Sequence, residues 1–280
     1  MFNLIGEVFH SLLFVPMINI LVAVYKALIF VHVPFALGFS IIILTIIIRF
    51  VLYPLTASQL KASKKMQELN PHLSRLKEKH KNDAKTLQQE TMKLYKEHGV
   101  NPAAGCLPVI VQLPIIWALY ATLQQIVHMT PATVNKIVYS DVLKISKQWD
   151  PNFFGVSLAT NPSHLFNAAD SRTWFILIVP LLTALFQFIQ SKMLFAKPPQ
   201  PTELVKDIEK KKNEDFATAF QSQSLYIFPL MIGFFSYTFP IGLSLYWNTF
   251  TIFGIIQQYK ISGLGGLEAW IEKIYGKKGK

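Results

Sequence analysis

The chain has 280 residues, 51% of them hydrophobic and 15% charged, with a formal net charge of +11. Several uncharged runs reach the ~20 residues that a bilayer core demands, which excludes a soluble domain and predicts an all-α integral membrane protein of one domain, 1–280. The single cysteine, Cys106, excludes an internal disulfide and says nothing of redox compartment.

No Lys or Arg precedes Lys26, so no cleavable signal is expected, and no cysteine near the start offers a lipoprotein anchor. The first apolar segment, 12–31, reads LLFVPMINILVAVYKALIFV. It is long enough to span but carries Pro16, Asn19 and Lys26, and little chain separates it from the next run. An N-terminal helix lying in the outer interface is the favoured reading.

The next run, 35–55, is the first predicted transmembrane helix, and Arg49 is its one charged residue. A charge near a bilayer centre costs at least about 2.5–3.5 kcal/mol on insertion scales. On a straight helix Thr45, Tyr53 and Thr56 share the arginine's face, and the opposite face is Ile and Leu. Two explanations compete. Arg49 faces a wet cavity, or its side chain snorkels towards the interface near Leu55, about 9 Å of helix rise away. The cavity is favoured, because other spans carry polar stripes too.

Residues 56–100 form a predicted cytosolic helical hairpin. The helix runs on from Thr56 until Asn70-Pro71 breaks it, and Leu69, Leu73, Leu76 and His80 then recur at helical spacing. Asp83 is placed to cap a second helix, with Leu87, Thr91, Leu94 and Tyr95 on one face and Gly99 as its stop. The second predicted span, 105–128, has Gln112 between Pro108 and Pro114. The third, 174–195, carries Thr183, Gln187, Gln190 and Ser191 on one stripe. A loop, 197–222, precedes the fourth span, 224–240. A tight Pro240-Ile241-Gly242 turn leads into the fifth, 242–259, striped by Ser244, Asn248, Thr251 and Gln258. The tail, 260–280, holds LEAWIEKIY, a short amphipathic piece suited to the membrane surface. Amides facing acyl chains are costly, so the stripes are expected to face one another or water.

Charge sets the orientation. Residues 56–100 hold ten Lys or Arg, 196–222 five and the tail from Lys260 five, against four in the long loop 129–172. The positive-inside bias puts 56–100, 197–222 and the tail in the cytosol and the N-terminus outside. It also accounts for the net charge without a specific nucleic-acid partner.

Enzyme chemistry finds no support. The seven histidines are scattered without HExxH or other metal spacing, and no GxSxG, Walker loop or paired intramembrane carboxylates occur. No Asp or Glu lies in any predicted span, so Arg49 has no acid to pair with there and a cation-coupled transporter lacks its usual groups. No cofactor or metal is expected.

Three blocks in order then resemble the YidC/Oxa/Alb family of membrane protein insertases: LTIIIRFVLYPLTASQLKASKKMQELNPHLSRLKEK, KLYKEHGVNPAAGCLPVIVQLPIIWALY and FPIGLSLYWNTFTIFGIIQQ. The resemblance implies a five-helix insertase core around a hydrophilic groove closed on the outside, in a bacterial plasma membrane. It implies nascent membrane proteins as substrates, lipid as the receiving phase, and the ribosome and the Sec translocon as possible partners. The family's groove arginine matches Arg49, its third-span glutamine Gln190 and its fifth-span aromatic Trp247. Thr45, Gln112, Gln187, Asn248 and Thr251 complete the expected lining. The family commonly has Asn where Thr251 stands, a departure near the fifth span. The alternative is an anion-selective channel or transporter built around Arg49, which needs a path open on both sides.

Overall fold

The computed structural model describes residues 6–7, 9–80, 83–100, 107–126, 129–167, 170–194, 216–268 and 270–271. Nearly all regular structure is helical. In chain order the main helices are α1 (Val15–Phe30), α2 (Ala36–Val51), α3 (Tyr53–Glu68), α4 (Asn70–Lys79), α5 (Ala84–Glu97), α6 (Leu107–Ile126), α7 (Ile178–Leu194), α8 (Phe216–Thr238) and α9 (Ile241–Ser262). They fall into two compact units. One comprises 1–52, 109–186 and 230–253, the other 53–108, 187–229 and 254–280.

In the first unit α1 continues from a π-helical turn, His10–Phe14, and Pro16 stands just after that wider turn. Phe14, Met17, Ile18, Leu21, Val22 and Tyr25 are buried at the three- and four-residue spacing of one helical face. They pack in one cluster with Leu37, Ile41 and Leu44 of α2, Ala118, Leu119 and Ile126 of α6, and Tyr246 of α9.

The polar residues that set 12–31 apart are all used. Asn19 Oδ1 accepts from the Tyr139 N–H at 2.7 Å, while its Nδ2 donates to the carbonyls of Val15 and Ile137. Lys26 Nζ donates to the carbonyls of Val142 and Lys144. Both side chains thus tie α1 to the connection after α6. That connection is braced by Asn135, which exchanges two hydrogen bonds with the Ile145 backbone at 2.8 and 2.9 Å. Further on, Asn152–Phe153 pairs antiparallel with Val156–Ser157 through a two-residue turn. Phe154 and Gly155 there have φ of 49° and 85°, the left-handed pair such a turn requires. The hairpin seats Phe153 against Gly38 so closely that a Cβ at Gly38 would overlap its ring. The turn between α8 and α9 docks nearby, Ile241 and Gly242 donating to the carbonyls of Thr160 and Leu158.

One expectation is corrected at α2. The helix bearing Arg49 ends at Val51, short of Leu55, and a separate helix, α3, begins at Tyr53. Pro54 supplies the reason: it has no N–H for the Phe50 carbonyl, and its ring crowds that turn. Tyr53 and Thr56 therefore belong to a different helix from Arg49, and the stripe drawn through them on a straight helix is broken.

In the second unit α3 leads into α4, which opens on Asn70-Pro71. Asp83 caps α5, its carboxylate accepting from Thr86 N at 3.0 Å and Thr86 Oγ1 at 2.6 Å. Helix α5 ends before Gly99, whose φ is 62°. Leu69 is buried, whereas Leu73, Leu76, Leu87, Leu94 and Tyr95 are only half-buried. A groove of about 290 Å³ runs between α4 and α5, lined by His72, Arg75, Leu76, Lys79, Glu90, Lys93, Leu94 and Glu97. Gln257 of α9 anchors the start of α3, its amide donating to Thr56 Oγ1 at 2.7 Å and to the Tyr53 carbonyl.

Among the described residues, His10–Phe30 and Thr173–Leu194 are long and apolar enough to cross a bilayer, and the consecutive pair α2–α3 would add a third. Leu113–Leu123 and Leu225–Thr238 are shorter apolar helices. Cys106, residues 197–215 of the expected loop, and 272–280 of the tail lie outside the described residues.

Candidate functional site

Arg49 sits in the last turn of α2 and is 4% exposed. Its guanidinium carbon lies over the Phe250 ring, 3.3 Å from the ring centre, and Nη2 donates to the Phe250 carbonyl. The Phe253 ring stands further off, 5.9 Å from the guanidinium carbon. A helical carbonyl has two lone pairs, so Phe250 can serve Arg49 without leaving the helical ladder. Arg49 Nε finds no acceptor.

Thr45, one turn earlier, is fully buried and donates to the Ile41 carbonyl of its own helix at 2.6 Å. Its hydroxyl is spent locally, as threonines in membrane helices commonly are. On α9, Thr251 is 1% exposed and its Oγ1 has no partner. Asn248 Oδ1 is likewise buried without one, and Trp247 is half-buried. Arg49, Thr45, Trp247, Asn248 and Thr251 thus lie in the first unit, with three unpartnered polar atoms among them. Gln187 and Gln190 are half-buried on the part of α7 that belongs to the second unit. Gln112 lies in α6, and its side chain is outside the described residues.

The polar stripes of α7 and α9 do meet at one level. Thr183 Oγ1 lies 3.1 Å from Ser236 Oγ of α8, which donates to Ser244 Oγ at 2.8 Å. Ser236 was missed in the sequence because no polar residue lies three, four or seven positions from it, so it forms no stripe. Gly233, one turn away, brings α8 so close to α7 that an added Cβ would fall 2.9 Å from the Ala184 Cβ. Phe250 was missed as well. Aromatic residues in a membrane helix read as lipid-facing, and only the order Tyr246, Phe250, Phe253 on one face of α9 hints at a stack.

With this geometry in place, comparison with known proteins is informative. Residues 18–264 match the family described as 60Kd inner membrane protein. A membrane protein insertase YidC from Fusobacterium nucleatum subsp. nucleatum is 35% identical over 81% of this chain and 87% of its own length. The chloroplast inner membrane protein ALBINO3 of Arabidopsis thaliana is 33% identical over 84% of this chain but only 48% of its own. For a Rickettsia conorii insertase YidC the figures are 34%, 80% and 35%. A solved structure described as an active YidC insertase with its first transmembrane domain resolved is 25% identical, with a TM-score of 0.50 over 90% of this chain and 46% of that one. A match spanning most of the chain, with a relative of similar length, leads to one conclusion: the chain belongs to the 60Kd inner membrane protein family.

Proposed function

We propose that this protein is a membrane protein insertase of a bacterial plasma membrane, receiving nascent chains at a hydrophilic site around Arg49 and releasing their apolar segments into lipid. The observation that carries the reading is Arg49 itself: a cation held in an apolar helix, in a chain whose predicted spans contain no Asp or Glu. Such a charge in surroundings of low effective dielectric attracts a carboxylate far more strongly than it would in bulk water. A substrate with an acidic residue near its translocated end would dwell at Arg49 while its apolar part moves into the bilayer. Apolar burial at about 25 cal/mol per Å² supplies the drive, without nucleotide or covalent step.

Thr45, Trp247, Asn248 and Thr251 would line the site, while Gln112, Gln187 and Gln190 enter from the resemblance alone. Ribosome and Sec translocon are proposed partners on the same footing. Five spans with an outer N-terminal helix, a cytosolic α4–α5 hairpin and a cytosolic tail remain the proposed topology. The bonds from Asn19 and Lys26 to residues 137–144 support it, since they set α1 against a polar connection rather than against acyl chains.

The test is insertion of a matched substrate pair, with and without one N-terminal Asp, into vesicles holding the wild-type protein or Arg49→Ala. The variant should insert the acid-bearing substrate poorly and the acid-free one nearly normally. Equal losses would sink charge recruitment, and halide flux through the wild-type vesicles would favour the channel instead.

A further inference from the structure

The residue that covers Arg49 is itself informative. Phe250 holds the guanidinium from two sides, with its ring beside the guanidinium carbon and its carbonyl at Nη2. Ring and carbonyl belong to one residue of one helix, so a turn of the Phe250 side chain uncovers the guanidinium while the α9 backbone keeps its helical bonds. Tyr246, fully buried one turn before, keeps the ring in place at a centroid distance of 5.7 Å. Phe253, whose ring centre is 5.9 Å from the guanidinium carbon, meets Phe50 edge-on at 5.3 Å. Under this cover Arg49 is only 4% exposed.

We infer that Phe250 is the latch of the Arg49 site: it conceals the charge in the resting protein, and a substrate carboxylate gains Arg49 by displacing it. The inference rests on the recruiting role proposed above for Arg49. The contact is well suited to being exchanged. A ring face and one carbonyl leave Nε without an acceptor, whereas a carboxylate offers two oxygens to the fork of a guanidinium and a full opposing charge. Neutral polar groups on a passing chain match the carbonyl but do not outbid it. Phe250 therefore sets selectivity: only a segment carrying an anion opens the site, and the idle protein shows no naked cation to lipid headgroups.

The chain has three arginines, Arg49, Arg75 and Arg172, and Arg75 is exposed. Phenylglyoxal, which modifies accessible guanidinium groups, is applied to the full-length protein in liposomes, and modification of Arg49 and Arg75 is followed by peptide mass spectrometry. Arg49 should react much more slowly than Arg75 in the wild type. Phe250→Leu, which keeps an apolar side chain but removes the ring, should speed Arg49 modification about thirtyfold, the size expected for loss of a desolvated cation–π contact. Phe250→Tyr keeps the ring and should stay near the wild-type rate. Arg49 reacting as fast as Arg75 in the wild type, a measurement that needs no variant, overturns the inference. So does a Phe250→Leu rate equal to the wild type.

Insertion of the matched substrate pair separates this inference from the reading beneath it. Phe250→Leu should raise the ratio of acid-bearing to acid-free insertion above the wild-type ratio. Faster modification with neither substrate affected would establish the cover and remove the recruiting role of Arg49.

Discussion

At the scale of single residues the central contrast is between charge and shape at Arg49. If a positive potential does the recruiting, Arg49→Lys should keep substantial insertion of acid-bearing substrates, because an ammonium supplies the same charge. Arg49→Glu should be the worst variant, since it repels the carboxylates that Arg49 attracts. A Lys variant as inactive as the Ala variant would mean that the fork geometry matters more than the charge. Arg49→Ala should still fold, as it strands no carboxylate and leaves the Phe250 carbonyl its helical bond. Asn19 behaves differently, because it serves the Tyr139 N–H and the Ile137 carbonyl together. Asn19→Leu leaves both without their partner and should lower unfolding stability by about 1–3 kcal/mol, measured by thermal or denaturant melting in detergent.

At the scale of elements, the apolar runs and their helical periods were legible, as was Asp83 as a cap, because the cues are local. What could not be read involved distant partners. Nothing near Asn19 or Lys26 announces that their acceptors and donor lie on residues 137–144, so 12–31 carried polar residues without visible purpose. The end of α2 failed for another reason. Apolar residues continue through Leu55 and mask the break, although Pro54 was in plain view. The site divides in the same way: Arg49 stood out by contrast with its neighbours, while Phe250 did not, since its role depends on where α9 lies beside α2. Helix α5 offers a test of a local device. The bonds from Thr86 hold the Asp83 carboxyl below its usual range. A carboxyl depressed in the folded state lends its support above the unfolded value and loses it as pH falls through the lower folded value. Amide exchange in α5, corrected for its intrinsic pH dependence, should therefore be unchanged from neutral pH down to about pH 4 and accelerate below it. Asp83→Ala should show the accelerated exchange at every pH.

At the scale of the whole molecule, the distribution of Lys and Arg predicts which ends share a side of the membrane. Single cysteines introduced at Asn152 and Gln88, in a background lacking Cys106, should label from outside only and from inside only, respectively. The reverse pattern would invert the topology and with it the proposed direction of transfer. Helix association within lipid gains little from the hydrophobic effect, so the first unit relies on close packing such as Gly233 against Ala184 and on the Thr183–Ser236–Ser244 hydroxyls. Ser236→Ala should cost only about 0.6 kcal/mol, at most about 1.7, in thermal melting.

That modest value follows from how those hydroxyls are bonded. Thr183 already donates to the Val179 carbonyl of its own helix at 2.8 Å, whereas Ser244 donates across the seam to the Ser236 carbonyl. A helical serine or threonine that loses a neighbour can turn back to its own backbone. The seam joining α7, α8 and α9 can therefore unzip without leaving a polar atom stranded in hydrocarbon, and rezip without a barrier of rehydration. A wall built from charged pairs would stay shut. This one, if parted, would leave each hydroxyl a backbone carbonyl of its own helix to return to.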